Sequence, residues 1–167
     1  MCSSDLPQKL NTTLMTITTR AGIVGDMQTP ATVLVIEKHP LMRAAIVSAI
    51  ADESDLTIAA IASDAGDTLQ IVASLHPQII LFAIGNPGEE DIEMMRELHE
   101  RFPDPVFVAL TTSEVPGQEE DALAHGADAA LAKTAPRAEL LQALRVMKAS
   151  LEGSEEKASH VQRRNTG

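Results

Sequence analysis

Aromatic side chains are nearly missing from this chain of 167 residues, which has three Phe and neither Trp nor Tyr. A packed interior must therefore be assembled from Ala, Val, Ile, Leu and Met. Cysteine is also scarce. The single Cys2 excludes an internal disulfide framework and suits a reducing, cytoplasmic setting. No apolar run approaches the roughly 20 residues that span a bilayer, and the N-terminus lacks the charged-then-apolar pattern of a signal peptide. Basic residues are outnumbered 13 to 24 by acids, for a formal net charge of −11. Such a surface repels phosphate backbones and anionic lipid, so it argues against direct nucleic-acid or membrane binding.

The common catalytic and nucleotide-binding signatures are missing too: there is no G-x-x-x-x-G-K-[ST], no G-x-G-x-x-G and no G-x-S-x-G. His39, His76, His99, His125 and His160 fall at separate helix ends and tails, with no pair at metal-ligand spacing. Glu89-Glu90-Asp91 and Glu119-Glu120-Asp121 each open a predicted helix, where acids complement the helix dipole; both runs read as solvated first turns. The chain does not read as an enzyme, and no cofactor or metal is implied.

What is present is a regular alternation. Residues 1–30 are rich in Ser, Thr, Asn and Gln and read as a disordered leader, with Met27 an alternative start to Met1. From residue 31 to 152 short apolar runs alternate with helical stripes. Strands are predicted at 32–36, 56–61, 79–82, 106–110 and 129–132. Helices follow from Pro40, from the Asp64 cap to Leu75, up to Pro103, from Gln118 to His125, and from Pro136. Met42, Ile46 and Ile50 stripe the first of these helices; Ile92, Met95, Leu98 and Phe102 the third; Leu140, Leu144, Met147 and Leu151 the last. Gly126 suits a left-handed residue just past the fourth helix. Residues 153–167 read as a frayed polar tail. Five strand–helix pairs with short loops predict an α/β fold, a parallel five-stranded sheet of flavodoxin-like order 2-1-3-4-5 with helices on both faces and any site at the strands' C-terminal ends.

At that edge stand Glu37-Lys38, Ala83, Thr111 and Lys133. The stretch Val33-Leu34-Val35-Ile36-Glu37-Lys38-His39-Pro40-Leu41-Met42-Arg43 resembles the opening of a CheY-like response-regulator receiver domain, particularly of the NarL/FixJ kind. Gly126-Ala127-Asp128-Ala129-Ala130-Leu131-Ala132-Lys133 resembles that family's fifth-strand signature. The resemblance covers about residues 32–150. It implies two acids after the first strand and a phospho-acceptor Asp after the third, together holding magnesium. It also implies a Ser/Thr and a Lys that bind the phosphoryl oxygens. Here the first acid is Glu37, the second is replaced by Lys38, the acceptor by Ala83, and the phosphoryl-binding pair is Thr111 and Lys133. The switch position on strand five, aromatic or His in the family, is Ala130, a methyl with no rotamer to change.

Magnesium requires hard oxygen ligands, and from Glu37, Lys38 and Lys133 the local formal charge is about +1 against about −2 for three acids and a Lys. Without a carboxylate at 83 no acyl-phosphate can form there. The resemblance therefore implies a degenerate pseudo-receiver of two-component signalling, stand-alone because no helix-turn-helix follows residue 151, acting through protein–protein interaction. Alternatives are an atypical phosphoacceptor in a phosphorelay or a small-molecule sensor using the emptied pocket. For Glu37, Lys38 and Lys133 three readings stand open: a salt bridge replacing the metal, solvated charges, or an anion site including Thr111. The family's usual partner face, fourth helix to fifth helix, would place Glu119, Asp121, Arg137, Arg145 and Lys148 toward a histidine kinase, a phosphotransfer protein, another regulator or a second copy.

Overall fold

The computed structural model describes residues 29–85, 88–112 and 114–164. The leader expected over 1–30 lies outside them except for its last two residues. In chain order the elements are β1 (Ala31–Ile36), α1 (Pro40–Ala51), β2 (Leu56–Ala62), α2 (Ala65–Leu75), β3 (Ile79–Ala83), α3 (Glu89–Arg101), β4 (Val106–Thr111), α4 (Gln118–Ala124), β5 (Ala129–Ala132) and α5 (Arg137–Arg164). All strand pairs are parallel and the sheet order is β2-β1-β3-β4-β5, the expected α/β arrangement.

Strand periodicity sorts the core into two layers. On one side Val33, Val35, Ile79, Leu81, Val108 and Leu110 pack beneath Ile46 and Ile50 of α1 and Leu140, Leu141 and Leu144 of α5. On the other, Leu34, Ile36, Ile80, Phe82, Phe107 and Ala109 pack with Val72 of α2, Met95 and Leu98 of α3 and Ala122 of α4. Each fully buried Leu, Ile or Phe contributes about 1.5–3 kcal/mol, so aliphatic volume replaces the missing aromatics.

Local chemistry sets the element ends. Pro40 opens α1 after an extended His39. Asp64 caps α2 by accepting from the Gly66 and Asp67 N–H groups at 3.0 and 3.4 Å. Gly126, at φ +116, lies so close to the His99 ring that a Cβ would come within 2.9 Å of it.

Two differences from the sequence reading concern α5. The helix does not fray at Gly153 but continues to Arg164. Its cations also face elsewhere than expected. Arg137 donates to Glu53 (2.6 Å) and to the Ala49 carbonyl (3.1 Å). Arg145 forks onto Asp55 at 2.8 and 3.1 Å and also reaches Glu53, and Lys148 donates to the Asp55 carbonyl. Positions 137, 145 and 148 share one helical face, and that face meets the α1–β2 turn, not β5 and α4. The three residues thus form an intramolecular clasp, in which Arg137 and Arg145 remain about half exposed.

The clasp has a pH signature. The hydrogen bond from Arg145, helped by its charge and that of Lys148, holds the Asp55 carboxyl below its ordinary value. A carboxyl with a depressed folded-state pKa adds stability above its unfolded pKa of about 3.9, and that stability is lost as pH falls through the lower folded value. Asp55→Asn is therefore expected to flatten the acid limb of a Tm-against-pH curve below about pH 4 and to leave the alkaline limb unchanged.

Candidate functional site

At the C-terminal edge of the sheet the strands open onto a cleft of about 620 Å³, bordered by Lys38, Ala83, Gly88, Asp91, Thr112 and Lys133. Open parallel α/β sheets bind ligands in the crevice outside the carboxyl ends of their strands, which is where this cleft lies. Ala83 ends β3 and lines the cleft, and a second hollow of about 260 Å³ shares Lys38, Ala83 and Asp91 with it.

Two ion pairs occupy the cleft. Glu37, only 2% exposed, accepts the His39 N–H on Oε1 at 2.8 Å, while Oε2 lies 3.3 Å from Lys133 Nζ without hydrogen-bond alignment. Lys38 does not join them. Its Nζ lies 2.5 Å from Asp91 Oδ1, and Asp91 Oδ2 accepts the Gly85 N–H at 2.8 Å. The hydrogen bond to Asp91 raises the Lys38 pKa, aided by the charges of Asp91, Glu90 and Glu37 and opposed by partial burial.

Asp91 corrects the sequence reading. In the run Glu89-Glu90-Asp91 the first two residues are exposed first-turn acids, but the third is buried, its side chain 9% exposed against 57% for Lys38. The helix turn carries Asp91 inward, so it supplies the carboxylate that Lys38 needs. With Asp91 counted, the inner four charges cancel, and the expected local excess of about +1 is absent. A signal did exist in the sequence: a cation at a family acid position calls for a carboxylate from a neighbouring loop.

Thr111 is buried but does not border the cleft. Its Oγ1 sits 3.2 Å from the Leu131 carbonyl and 3.4 Å from Glu119 Oε1. Thr112 takes the place at the cleft wall. Ala130 is partly buried and packs against the α2–α3–α4 layer. Of the proposed partner-face residues, Glu119 and Asp121 are exposed on α4.

Sequence reasoning missed Gln118. Fully buried, it accepts the Thr112 N–H on Oε1 (2.7 Å) and donates from Nε2 to the Gly85 carbonyl (2.9 Å), tying the β3–α3 and β4–α4 loops together. Gly88, at φ +86, makes room for this: a Cβ there would lie 2.7 Å from Gln118 Nε2 and 2.6 Å from Ile84. A lone Gln at a helix start carries no such signal.

The donor set also tests whether a divalent cation fits. Glu37 already faces Lys133, Asp91 faces Lys38, and among the described residues no three His, Cys, Asp or Glu side chains are grouped to hold a metal. An ammonium stands where a cation would need an open carboxylate, so the residues do not fit magnesium.

Fold and cleft together define a doubly wound parallel α/β domain with a strand-end site. Residues 33–145 match the model of the response regulator receiver domain. Over 120 residues the chain is 33% identical to the nitrate/nitrite response regulator protein NarL of Escherichia coli K12, covering 70% of this chain and 54% of that protein. It is 32% identical over 115 residues to the response regulator GacA of Pseudomonas viridiflava, covering 69% and 54%. The chain thus spans about half the length of the curated relatives it matches. The signal receiver domain of a NarL response regulator from Mycobacterium tuberculosis superposes with a TM-score of 0.65 at 22% identity, over 72% of this chain and 98% of that one. The chain belongs to the response regulator receiver domain family.

Proposed function

We propose that this receiver domain is a pseudo-receiver: it works in two-component signalling without being phosphorylated, as a protein–protein interaction module. The observation that carries this reading is the pair of ion pairs around Ala83. The acceptor position offers a methyl, the position of the second acid offers an ammonium, and the buried carboxylates Glu37 and Asp91 are each paired with a lysine, while Glu89 and Glu90 stay exposed at the cleft's border. The methyl of Ala83 cannot attack a phosphoryl donor. Asp91 is a carboxylate within the cleft, but both of its oxygens are engaged.

Lys38 supplies the positive charge that a bound cation would otherwise bring, and it does so permanently. Gln118 fixes the loops that would have to move, and Ala130 has no rotamer to report such a movement. One conformation is thereby favoured at all times, so control falls to abundance or to the partner. A histidine kinase, a phosphotransfer protein or another regulator is the partner class that the family suggests. Incubation of the full chain with acetyl phosphate and Mg²⁺, read by intact mass, should leave it unmodified. A hydroxylamine-labile phosphoryl adduct would overturn the reading.

A further inference from the structure

We propose that the strand-end cleft, together with the hollow beside it, binds a small organic ammonium ion that carries an apolar ring. The inference rests on the reading of the site as closed to phosphoryl chemistry, and adds a ligand class for the space that is left. Ala83 lets the two spaces serve one ligand, since it lines both. A carboxylate at this position would set a charge between them. A methyl instead continues the apolar lining of the hollow, to which Ile36, Phe82 and Met94 contribute. At about 620 and 260 Å³ the cleft and hollow reach the size of ordinary small-molecule sites. In such sites an apolar wall holds the body of the ligand and a few polar groups fix its head.

Charge selects the head. Among the described residues that line the two spaces, Glu37, Asp64, Glu89, Glu90 and Asp91 stand against Lys38 and Lys133. The lysines are taken by Asp91 and Glu37, so the exposed Asp64, Glu89 and Glu90 leave the rim negative. A second observation lies deeper. Glu37 lines the cleft and is 2% exposed, and its Oε2 receives no hydrogen bond although Lys133 Nζ stands 3.3 Å away. A buried acceptor without a donor is costly, and an N–H at the cleft wall would supply what it lacks. An ammonium brings positive charge and several N–H donors, and it needs none of the oxygen shell that magnesium demands. A carboxylate or phosphate head would meet Glu89 and Glu90 and be repelled.

The chain has no Trp or Tyr, so an indole probe reports its own binding against a dark background. Tryptamine at fixed concentration is titrated with the full chain and read by fluorescence anisotropy. Tryptophol, with a hydroxyl in place of the ammonium, and indole-3-propionate, with a carboxylate, are the comparisons. Tryptamine should bind saturably and at least about tenfold more tightly than indole-3-propionate, with tryptophol between them. Glu90→Lys, at an exposed residue that lines both spaces, should weaken tryptamine binding by at least about fivefold. Asp104→Lys, the same charge change in the exposed loop before β4, should weaken it by less than about twofold, because salt screens distant charges. Ala83→Leu should abolish binding by filling the space, and Glu90→Lys carries the test if that variant does not fold. The proposal fails if tryptamine shows no saturable binding, if tryptophol or indole-3-propionate binds as tightly, or if Asp104→Lys matches Glu90→Lys. A chain that acetyl phosphate leaves unmodified but that ignores tryptamine is still a pseudo-receiver, so the two failures are distinguishable.

Discussion

Lys38→Asp should convert the cleft into a divalent-cation site. The substitution removes the ammonium bound to Asp91 and places a third carboxylate beside Glu37 and Asp91. Three carboxylates then face one lysine, a strongly negative pocket with the hard oxygen donors that Mg²⁺ and Mn²⁺ need. Without metal the variant should be less stable than the wild type, because like charges now crowd together. With Mg²⁺ at a hundredfold excess over Kd it should regain about 2.7 kcal/mol, visible as a rise in Tm that the wild type does not show. Mn²⁺ should broaden amide resonances around residues 37, 38 and 91 in the variant alone. Equal stabilisation of the wild type by Mg²⁺ would contradict the cleft as described.

The second large effect lies at Asp91. Replacing it by Ala strips Lys38 of its partner and leaves the Gly85 N–H without its acceptor. An unmade bond to a fully buried donor costs about 1–3 kcal/mol; the Gly85 N–H is only partly buried, so the lower half of that range applies, and for a chain of this size it lowers Tm by roughly 2–6 °C. Asp91→Asn separates the two contributions, since its amide oxygen still accepts from Gly85 while the charge is gone. It should cost less than Ala, and the difference measures the backbone bond. The Lys38 end contributes little by itself, being 57% exposed and so well solvated. A raised lysine pKa adds stability below its unfolded value near 10.4, lost as pH rises through the folded value. Any alkaline weakening above that pH should therefore disappear in Asp91→Asn. An Ala variant within about 0.5 kcal/mol of wild type, the usual range for surface sites, would show that Asp91 does not hold the cleft.

The fold was legible because its signals are local. Five β-rich runs bounded by Pro, Gly and caps leave one economical topology, and the alternation along each strand matches the two layers of the core. The cleft was legible as far as its chain positions went: Glu37, Lys38, Ala83 and Lys133 all reach the same edge of the sheet. Partner choice was not, because it depends on which way a helix turns. Three consecutive acids at 89–91 look alike in sequence, yet only the third rotates inward. Likewise Arg137, Arg145 and Lys148 share a helical face, but nothing local says whether that face meets the α1–β2 turn or solvent. Gln118 shows the same limit: a buried side-chain bridge joins residues 33 positions apart, from Gly85 to Gln118. The run of α5 beyond Gly153 escaped notice because a polar segment with a glycine resembles a helix stop.

The central claim is that ion pairs and a methyl have closed this cleft to phosphoryl chemistry. Amide NMR of the full chain titrated with beryllofluoride and Mg²⁺ tests it most directly, since that complex mimics a phosphoryl group on an acceptor carboxylate. The account predicts no saturable shift at Ala83, Thr111, Thr112 or Lys133. Saturable shifts confined to those residues would show a working phosphoryl site and contradict it.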